Sequence, residues 1–236
     1  MFTKSAPWYD HLYAFKDYAA ASAYVTRTIE RYHPQARSFL DVACGTGRHL
    51  AELQDDYDVE GLDLSSDLLS IARERCPDVP LHLGDMIDFE LGRKFDVVAC
   101  LFSSIAYVKT VENLRSAVRA MSSHLAPGGI LLIEPWFSPE NYWTGTITAN
   151  HVDEPELKIT WMYTSDEPKD RIATLDIHYL VGTPEGIETF TELHELGLFT
   201  AGEYEDAIRS TGLTVEHDAQ GPFGRGLYIG ASSAAA

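Results

Sequence analysis

Leu40-Asp41-Val42-Ala43-Cys44-Gly45-Thr46-Gly47-Arg48 comes after the apolar Phe39 and runs into a helix-like stretch, His49-Leu50-Ala51-Glu52-Leu53. The run from Leu40 to Cys44 reads as the end of a buried strand. Gly45-Thr46-Gly47 reads as a tight turn, because residues without a Cβ let a ligand approach the backbone closely. A helix starting there would aim the unpaired N–H groups of its first turn, and the positive end of its dipole, at that ligand. The arrangement suits a carboxylate or a phosphate.

A single G-x-G is weak, but its spacing from the next acidic residues makes it informative. Asp63 ends the run Tyr57-Asp58-Val59-Glu60-Gly61-Leu62, about 20 residues after the turn, where a carboxylate accepts hydrogen bonds from a ribose diol. A second acidic step lies in Leu83-Gly84-Asp85-Met86-Ile87-Asp88-Phe89, and a further apolar run, Phe95 to Leu101, gives way to Phe102-Ser103-Ser104. The turn lacks the third glycine of a dinucleotide site. That favours a ligand with one nucleoside and no pyrophosphate, and disfavours an NAD-dependent oxidoreductase.

Periodicity predicts a first helix over about Asp17 to Tyr32, with Pro34 ending it. Strands are expected near 38–43, 57–63, 80–83, 95–101 and 129–135, and helices near 47–54, 66–75 and 111–124. Strands alternating with helices mean βαβ units and a parallel sheet. From 137 to 198 the rhythm changes to alternating runs, such as Leu157 to Tyr163 and Ile172 to Val181. Turn signals at Asp153-Glu154-Pro155, Glu167-Pro168-Lys169-Asp170 and Thr183-Pro184-Glu185-Gly186 separate them. They predict an antiparallel meander of three or four strands. A helix over 201–211, capped by Thr200, and a closing antiparallel pair at 213–217 and 226–230 complete the chain. The expected fold class is therefore α/β, with 1–136 and 199–231 as core, 137–198 as an inserted antiparallel β cap forming the acceptor pocket, and 232–236 as a tail.

The 236 residues, 45% of them hydrophobic, suffice for one sizeable domain with an elaboration. Lys and Arg number 18 against 36 Asp and Glu, leaving a net charge of −18. That charge repels polyphosphate and no basic stripe offsets it, so no nucleic-acid polymer is expected as a partner. Cys44, Cys76 and Cys100 show neither metal-ligand spacing nor even pairing, so no metal site and a reduced, cytoplasmic protein are expected. No signal peptide is visible and no apolar run approaches membrane-spanning length, so no membrane partner is expected.

At D-V-A-C-G-T-G, G-L-D-L-S, G-D-M-x-D-F, F-D-V-V and Leu125-Ala126-Pro127-Gly128-Gly129, spanning roughly residues 38 to 136, the chain resembles the Rossmann-like methyltransferases that use S-adenosylmethionine (SAM). The resemblance implies SAM as cofactor and S-adenosylhomocysteine as product. Asp41, Ala43, Gly45 and Gly47 would hold the cofactor's methionine end, with Tyr9 and Tyr18 closing over it. Asp63 would take the ribose. Asp85 and the Met86 N–H would read the adenine, with Leu64, Met86 and Leu101 packing its faces.

Methyl transfer from a sulfonium is an in-line displacement in which the enzyme mostly supplies proximity and alignment. A hydroxyl acceptor needs a real base, whereas a deprotonated amine does not. The segment Phe102 to Tyr107, expected beyond the end of a strand, holds Phe102, Ser104 and Tyr107 but no His or Asp, which favours an amine. A base could instead come from the cap, where His178 and His194 are available.

Phe102 to Tyr107, Glu134-Pro135-Trp136-Phe137-Ser138-Pro139-Glu140, Asp176-Ile177-His178-Tyr179 and Gly221-Pro222-Phe223-Gly224-Arg225-Gly226-Leu227 narrow the resemblance. They are similar to those of the bacterial N,N-dimethyltransferases acting on dTDP-linked 3-amino-deoxyhexoses in desosamine and mycaminose biosynthesis. That resemblance covers nearly the whole chain and implies a homodimer whose inserted strands build a sugar-nucleotide pocket. Phe102, Ser104 and Trp136 would line it, Arg225 would meet the diphosphate, and Tyr107 and His178 would serve the reacting amine. A guanidinium fork suits phosphate oxygens. Rival readings are a methyltransferase for another small amine or hydroxyl, and a SAM-binding protein without turnover. Segment 137–170 departs from the pattern where the acceptor would be read.

Overall fold

The computed structural model describes residues 2–232. A short 3-10 turn at Ala6–Trp8 leads into α1 (Tyr9–Leu12) and α2 (Tyr18–Tyr32), then β1 (Ser38–Val42), α3 (Arg48–Leu53), β2 (Asp58–Asp63), α4 (Ser66–Arg75) and β3 (Leu81–Leu83). Next come β4 (Phe95–Cys100), a 3-10 turn at Ser104–Val108, α5 (Val111–Ser123) and β5 (Leu125–Ile133). Four strands succeed them, β6 (Thr146–Glu154), β7 (Leu157–Ser165), β8 (Ile172–Thr183) and β9 (Gly186–Gly197), before α6 (Ala201–Arg209), β10 (Leu213–Asp218) and β11 (Leu227–Ser232).

Seven strands form one sheet in the order β10-β11-β5-β4-β1-β2-β3. β1 to β5 run parallel, and β11 is antiparallel to both β5 and β10. The chain lays β2 and β3 on one side of β1 and β4 and β5 on the other. Such a switch of direction leaves a crevice beyond the carboxyl ends of the central strands.

Each central strand is buried on both faces, so it reads as a continuous apolar run. Phe39 joins Val25 and Ile29 of α2 and Leu50 and Leu53 of α3 in one cluster. Its neighbour Leu40 joins Leu114 and Val118 of α5 and Ile208 of α6 in another. The helices begin where the sequence offers oxygens to their free N–H groups. Asp17 accepts from Ala20 N at 2.8 Å, Ser65 from Leu68 N at 3.3 Å, and Thr200 and Glu203 form a reciprocal capping box.

Several boundaries differ from those expected. β5 begins at Leu125, because Leu125 still pairs with Phe95 before Ala126 to Gly129 bulge out and pairing resumes at Ile130 with Val97. The strand then ends at Ile133, leaving Glu134 to Trp136 in the crevice loop. Ser232, expected in a tail, pairs with Leu213 at the end of β11. Residues 233–236 of that expected tail lie outside the described residues. The turn and helix over 6–12, and the turn at Ser104–Val108, have no sequence counterpart because they are too short to show a period.

β6-β7-β8-β9 form a separate antiparallel sheet with neighbours paired in chain order. Pro155-Glu156 and Pro184-Glu185 make two-residue turns. Asp170-Arg171, both at positive φ, make the turn between β7 and β8, matching the primed hairpin geometry. Side chains alternate between faces. Ile159, Leu175, Ile177, Tyr179 and Val181 pack inward with Leu12, Ala106, Tyr13, Tyr107 and Trp136. Ile147, Met162, Leu180 and Ile187 stand exposed.

Candidate active site

The loop after β1 takes a shape that few residues tolerate. Ala43, Gly45 and Gly47 have φ of 64°, 57° and 75°, in the left-handed region that costs residues with a Cβ. At Gly47 an added Cβ would also meet Ala72 Cβ at 3.2 Å. Asp63, at the end of β2, fixes the loop from the side. Its Oδ2 accepts from Gly45 N and its Oδ1 from Ser65 N, both at 2.8 Å. Burial still raises its pKa, against the pull of those N–H groups.

Beyond the loop lies a cavity of about 400 Å³. Leu62, Asp63, Leu64, Asp85, Met86 and Ile87 line one wall. Ser104, Tyr107 and Val108 line the other, Phe2 and Tyr9 come from the N-terminal segment, and Leu193 and Glu195 from β9. Asp85 also closes a local turn, its Oδ1 accepting from Ile87 N at 3.1 Å. A narrow recess continues past Tyr9, Tyr18, Asp41, Ala43, Gly45, Leu101, Phe102 and Ser104. Leu101, expected against the adenine, lies in this recess and not on the wide chamber's wall, because it comes directly after β4 and joins the core cluster of Phe39 and Leu50. Asp41 is buried beside Asp63, and burial first, then that like charge, pushes its pKa up to about 8. Tyr9 and Tyr18 are hydrogen-bonded, and burial lifts Tyr18 to about 12.

The N-terminal segment is tied down over the loop. Thr46 Oγ1 donates to Asp10 at 2.8 Å, and Arg75 bonds both Asp10 and the Thr46 carbonyl.

The other side of the site sits where the two sheets meet. Phe102 and Ser103 have φ of 53° and 63°, sparsely populated conformations of the kind that cluster at functional sites. Arg225 is half-buried. It donates from Nη1 to Ser103 Oγ at 3.0 Å and stacks its guanidinium 5.0 Å from the Phe137 ring centre, beside Trp136. Burial lowers its pKa, while Glu134 raises it. Glu134 is fully buried, accepts from Phe102 N at 2.7 Å and leaves Oε1 without a partner. Burial lifts it to about 7 despite Phe102 N, Arg225 and Lys16. Lys16 lies 4.9 Å from the Phe102 ring centre and 4.6 Å from that of Phe223.

His178 does not reach this site. It occupies an outward position of β8, its side chain 64% exposed, and faces Asp176 on the same outer surface. Strand alternation decides this: Ile177 and Tyr179 point inward, so the residue between them points out. His194 on β9 does point inward, and its Nδ1 lies 2.7 Å from the Tyr107 hydroxyl. Tyr13, Lys16 and Glu134 also belong to this side, and sequence reasoning misses all three. Tyr13 stands edge-on to Phe102, with ring centres 5.2 Å apart. Only Glu134 carries a sequence signal, a carboxyl after a wholly apolar strand.

Known proteins share this geometry. Residues 39–129, from β1 to the bulge in β5, match a family model described as a methyltransferase domain. A Streptomyces fradiae enzyme, dTDP-3-amino-3,6-dideoxy-alpha-D-glucopyranose N,N-dimethyltransferase, is 43% identical over 91% of this chain and 85% of its own. The chain belongs to the SAM-dependent sugar N-methyltransferases. In three dimensions it is similar to DesVI of Streptomyces venezuelae, with a TM-score of 0.92, 39% identity and coverage of 99% and 100%. It is also similar to the SAM-bound CalS10 of Micromonospora echinaspora, an amino pentose methyltransferase, with a TM-score of 0.87, 36% identity and coverage of 99% and 98%.

This methyltransferase uses SAM, and the residues present fit that group. The cavity lies in the range of small-molecule sites, apolar with a few convergent polar groups. The left-handed loop leaves open space where a Cβ at Gly45 would stand, and Asp63 offers its remaining lone pairs to the chamber. Among the described residues no group of three or more His, Cys, Asp or Glu is placed to hold a metal, and no helix is long and apolar enough to cross a membrane.

Proposed function

We propose that this enzyme dimethylates the amino group of a dTDP-linked amino-deoxy sugar. The observation that carries the reading is Arg225: a half-buried guanidinium beside Lys16 at the seam between the two sheets, in a chain of net charge −18. Two cations placed together in so acidic a protein suit a diphosphate. The names of the relatives support the same class of acceptor.

Bound in the chamber, SAM supplies a methyl group on a sulfonium. The chain supplies alignment. Asp63 and the Ala43–Gly47 loop fix the cofactor's ribose and methionine ends, Asp85 and Met86 its adenine, and Tyr9 and Tyr18 close the recess. The cap forms the acceptor pocket with Phe102, Ser104, Trp136 and Arg225, and Tyr107 orients the amine. The segment Phe102–Tyr107 itself carries no carboxyl or imidazole to deprotonate a hydroxyl, which favours an amine.

We also propose a homodimer through the outer face of the cap, supported by the exposed Ile147, Met162, Leu180 and Ile187. Leu180→Glu should then yield a monomer in light scattering after size exclusion. A cytoplasmic site of action fits the three cysteines, all free and buried.

The test of the acceptor is calorimetric titration with dTDP in the presence of S-adenosylhomocysteine, and then a methyl-transfer assay with dTDP-3-amino-3,6-dideoxyglucose. Micromolar dTDP binding that Arg225→Ala weakens about tenfold supports the reading. Bound S-adenosylhomocysteine with no dTDP binding moves the acceptor to another small amine or hydroxyl.

A further inference from the structure

Tyr107 lines the chamber wall and is half-buried. The hydroxyl lies 2.7 Å from His194 Nδ1. His194 is itself buried, 1% exposed, and the Phe2 ring packs on it with centres 4.7 Å apart. On its far side, Nε2 lies 3.8 Å from Glu192 Oε2.

Glu192 is also buried and is an anion. Its Oε1 accepts from Thr3 N at 2.8 Å, Thr3 Oγ1 at 2.9 Å and Ser5 N at 3.1 Å, and its Oε2 from Ser5 Oγ. Burial works against its charge, but His194 and these four donors outweigh burial and hold its pKa well below the carboxylate range. Burial in turn lowers the pKa of His194, partly offset by Glu192, which favours the neutral imidazole.

A neutral imidazole carries one proton, and the partner of one nitrogen decides which. A lone pair on Nε2 facing the Glu192 anion would be repelled. The proton therefore belongs on Nε2, and Nδ1 is the acceptor. Only one arrangement then remains for Tyr107: its O–H donates to His194, and its oxygen lone pairs face the chamber.

We propose that His194, oriented by Glu192, is a positioning residue that makes Tyr107 a hydrogen-bond acceptor, and not a donor, toward the amine that receives the methyl group. This rests on the amine-acceptor reading above. An amine that donates one N–H to Tyr107 has its lone pair turned elsewhere, free to meet the methyl carbon. A Tyr107 whose O–H pointed into the chamber would instead bind that lone pair and block the attack. The same contact serves the first methylation and the second, since a secondary amine still has one N–H to donate. Each transfer leaves an ammonium that must release a proton to solvent, and the contact is lost once the dimethylated nitrogen has done so. No proton need leave Tyr107, and burial raises its pKa far beyond the point where it could act as a base.

The first test needs no acceptor. Nitrogen-15 NMR of the histidine-labelled enzyme with S-adenosylhomocysteine bound reads the ring tautomer, the His194 signals being those lost in His194→Asn. A neutral ring protonated on Nε2 is expected. A ring protonated on Nδ1, or an imidazolium, overturns the proposal whatever the acceptor proves to be.

The second test uses methyl transfer to dTDP-3-amino-3,6-dideoxyglucose. His194→Leu should lower kcat roughly tenfold with KM nearly unchanged, the worth of one well-placed hydrogen bond. His194→Asn, whose amide oxygen overlays Nδ1, should restore most of it. Because both act through one hydroxyl, His194→Leu combined with Tyr107→Phe should be no slower than Tyr107→Phe alone. Additive losses, or a loss confined to KM, overturn the proposal. A wild-type enzyme that ignores this sugar counts against the acceptor assigned above, and the tautomer measurement still judges His194.

Discussion

One wall of the chamber comes from a single stretch of chain, Asp41 to Met86, through the loops at the ends of three neighbouring parallel strands. The acceptor side gathers Tyr13 and Lys16, Phe102 and Tyr107, Glu134 and Trp136, His194 and Arg225, from segments spread over the whole sequence. The first is held mainly by backbone: a left-handed loop and N–H groups tied to Asp63. The second is held by side chains on side chains. A site made by backbone announces itself as a local motif, whereas one made by distant side chains shows only after the chain has folded.

The contrast can be broken at either end. The largest effect is expected at Asp63. If Asp63 holds the ribose, Asp63→Ala should remove charge-assisted hydrogen bonds to it, and it frees Gly45 N from its anchor, a loss of roughly 1.5–3 kcal/mol. S-adenosylhomocysteine affinity should fall by about one to two decades in calorimetry. If the variant binds as tightly as the parent, Asp63 does not hold the ribose. Arg225→Ala should do the reverse, weakening dTDP binding by about tenfold while leaving S-adenosylhomocysteine binding intact. Equal losses for both ligands would mean that Arg225 supports the fold of the seam and not the diphosphate.

The buried acids sharpen the comparison through pH. Asp41, at the cofactor end, has its folded pKa raised to about 8, and Glu134, at the acceptor end, to about 7. A carboxyl whose folded pKa lies above its unfolded value binds more protons in the folded state. It therefore favours folding at low pH and costs stability as pH rises from about 4 toward those values. Asp41→Asn should flatten this slope, raising Tm more at pH 8.5 than at pH 5.5 in thermal denaturation. A pH-independent change in Tm would show that Asp41 is not ionising in that window. The smallest effect is a control away from both ends: Thr200→Ala breaks the capping box of α6 and should cost about 1 kcal/mol, with both ligands bound as before.

Legibility in the sequence divides along the same line. The apolar runs at 38–43, 57–63 and 95–101 declare buried parallel strands, because burial on both faces leaves no alternation. The cap declares itself by the opposite sign, a period of two from 146 to 197. Gly45, Asp63, Asp85 and Met86, which line the chamber, stand at a spacing that reflects the strand order, whereas Gly47 faces Ala72 of α4. His178 and His194 cannot be placed in that way. Both are histidines in alternating strands, and sequence alone does not say which face is inward. The register does: Leu193 and Glu195 flank His194 outward, while Tyr179 and Ile177 turn His178 to the outer surface. Glu192 and its four donors are invisible because Thr3 and Ser5 lie so far from it in sequence.

The three free cysteines make this fold its own reporter. Cys44 lies in the left-handed loop, Cys76 donates to the Gly47 carbonyl from 3.8 Å, and Cys100 ends β4. All are buried, and burial raises each thiol's pKa, so a thiol reagent meets no thiolate until the structure opens. The rate of labelling under native conditions then counts those openings, as hydrogen exchange does. Saturating S-adenosylhomocysteine should slow labelling in proportion to its concentration over Kd. Because Cys44 and Cys76 pack on one face of the sheet and Cys100 on the other, their order of modification would show which face opens first.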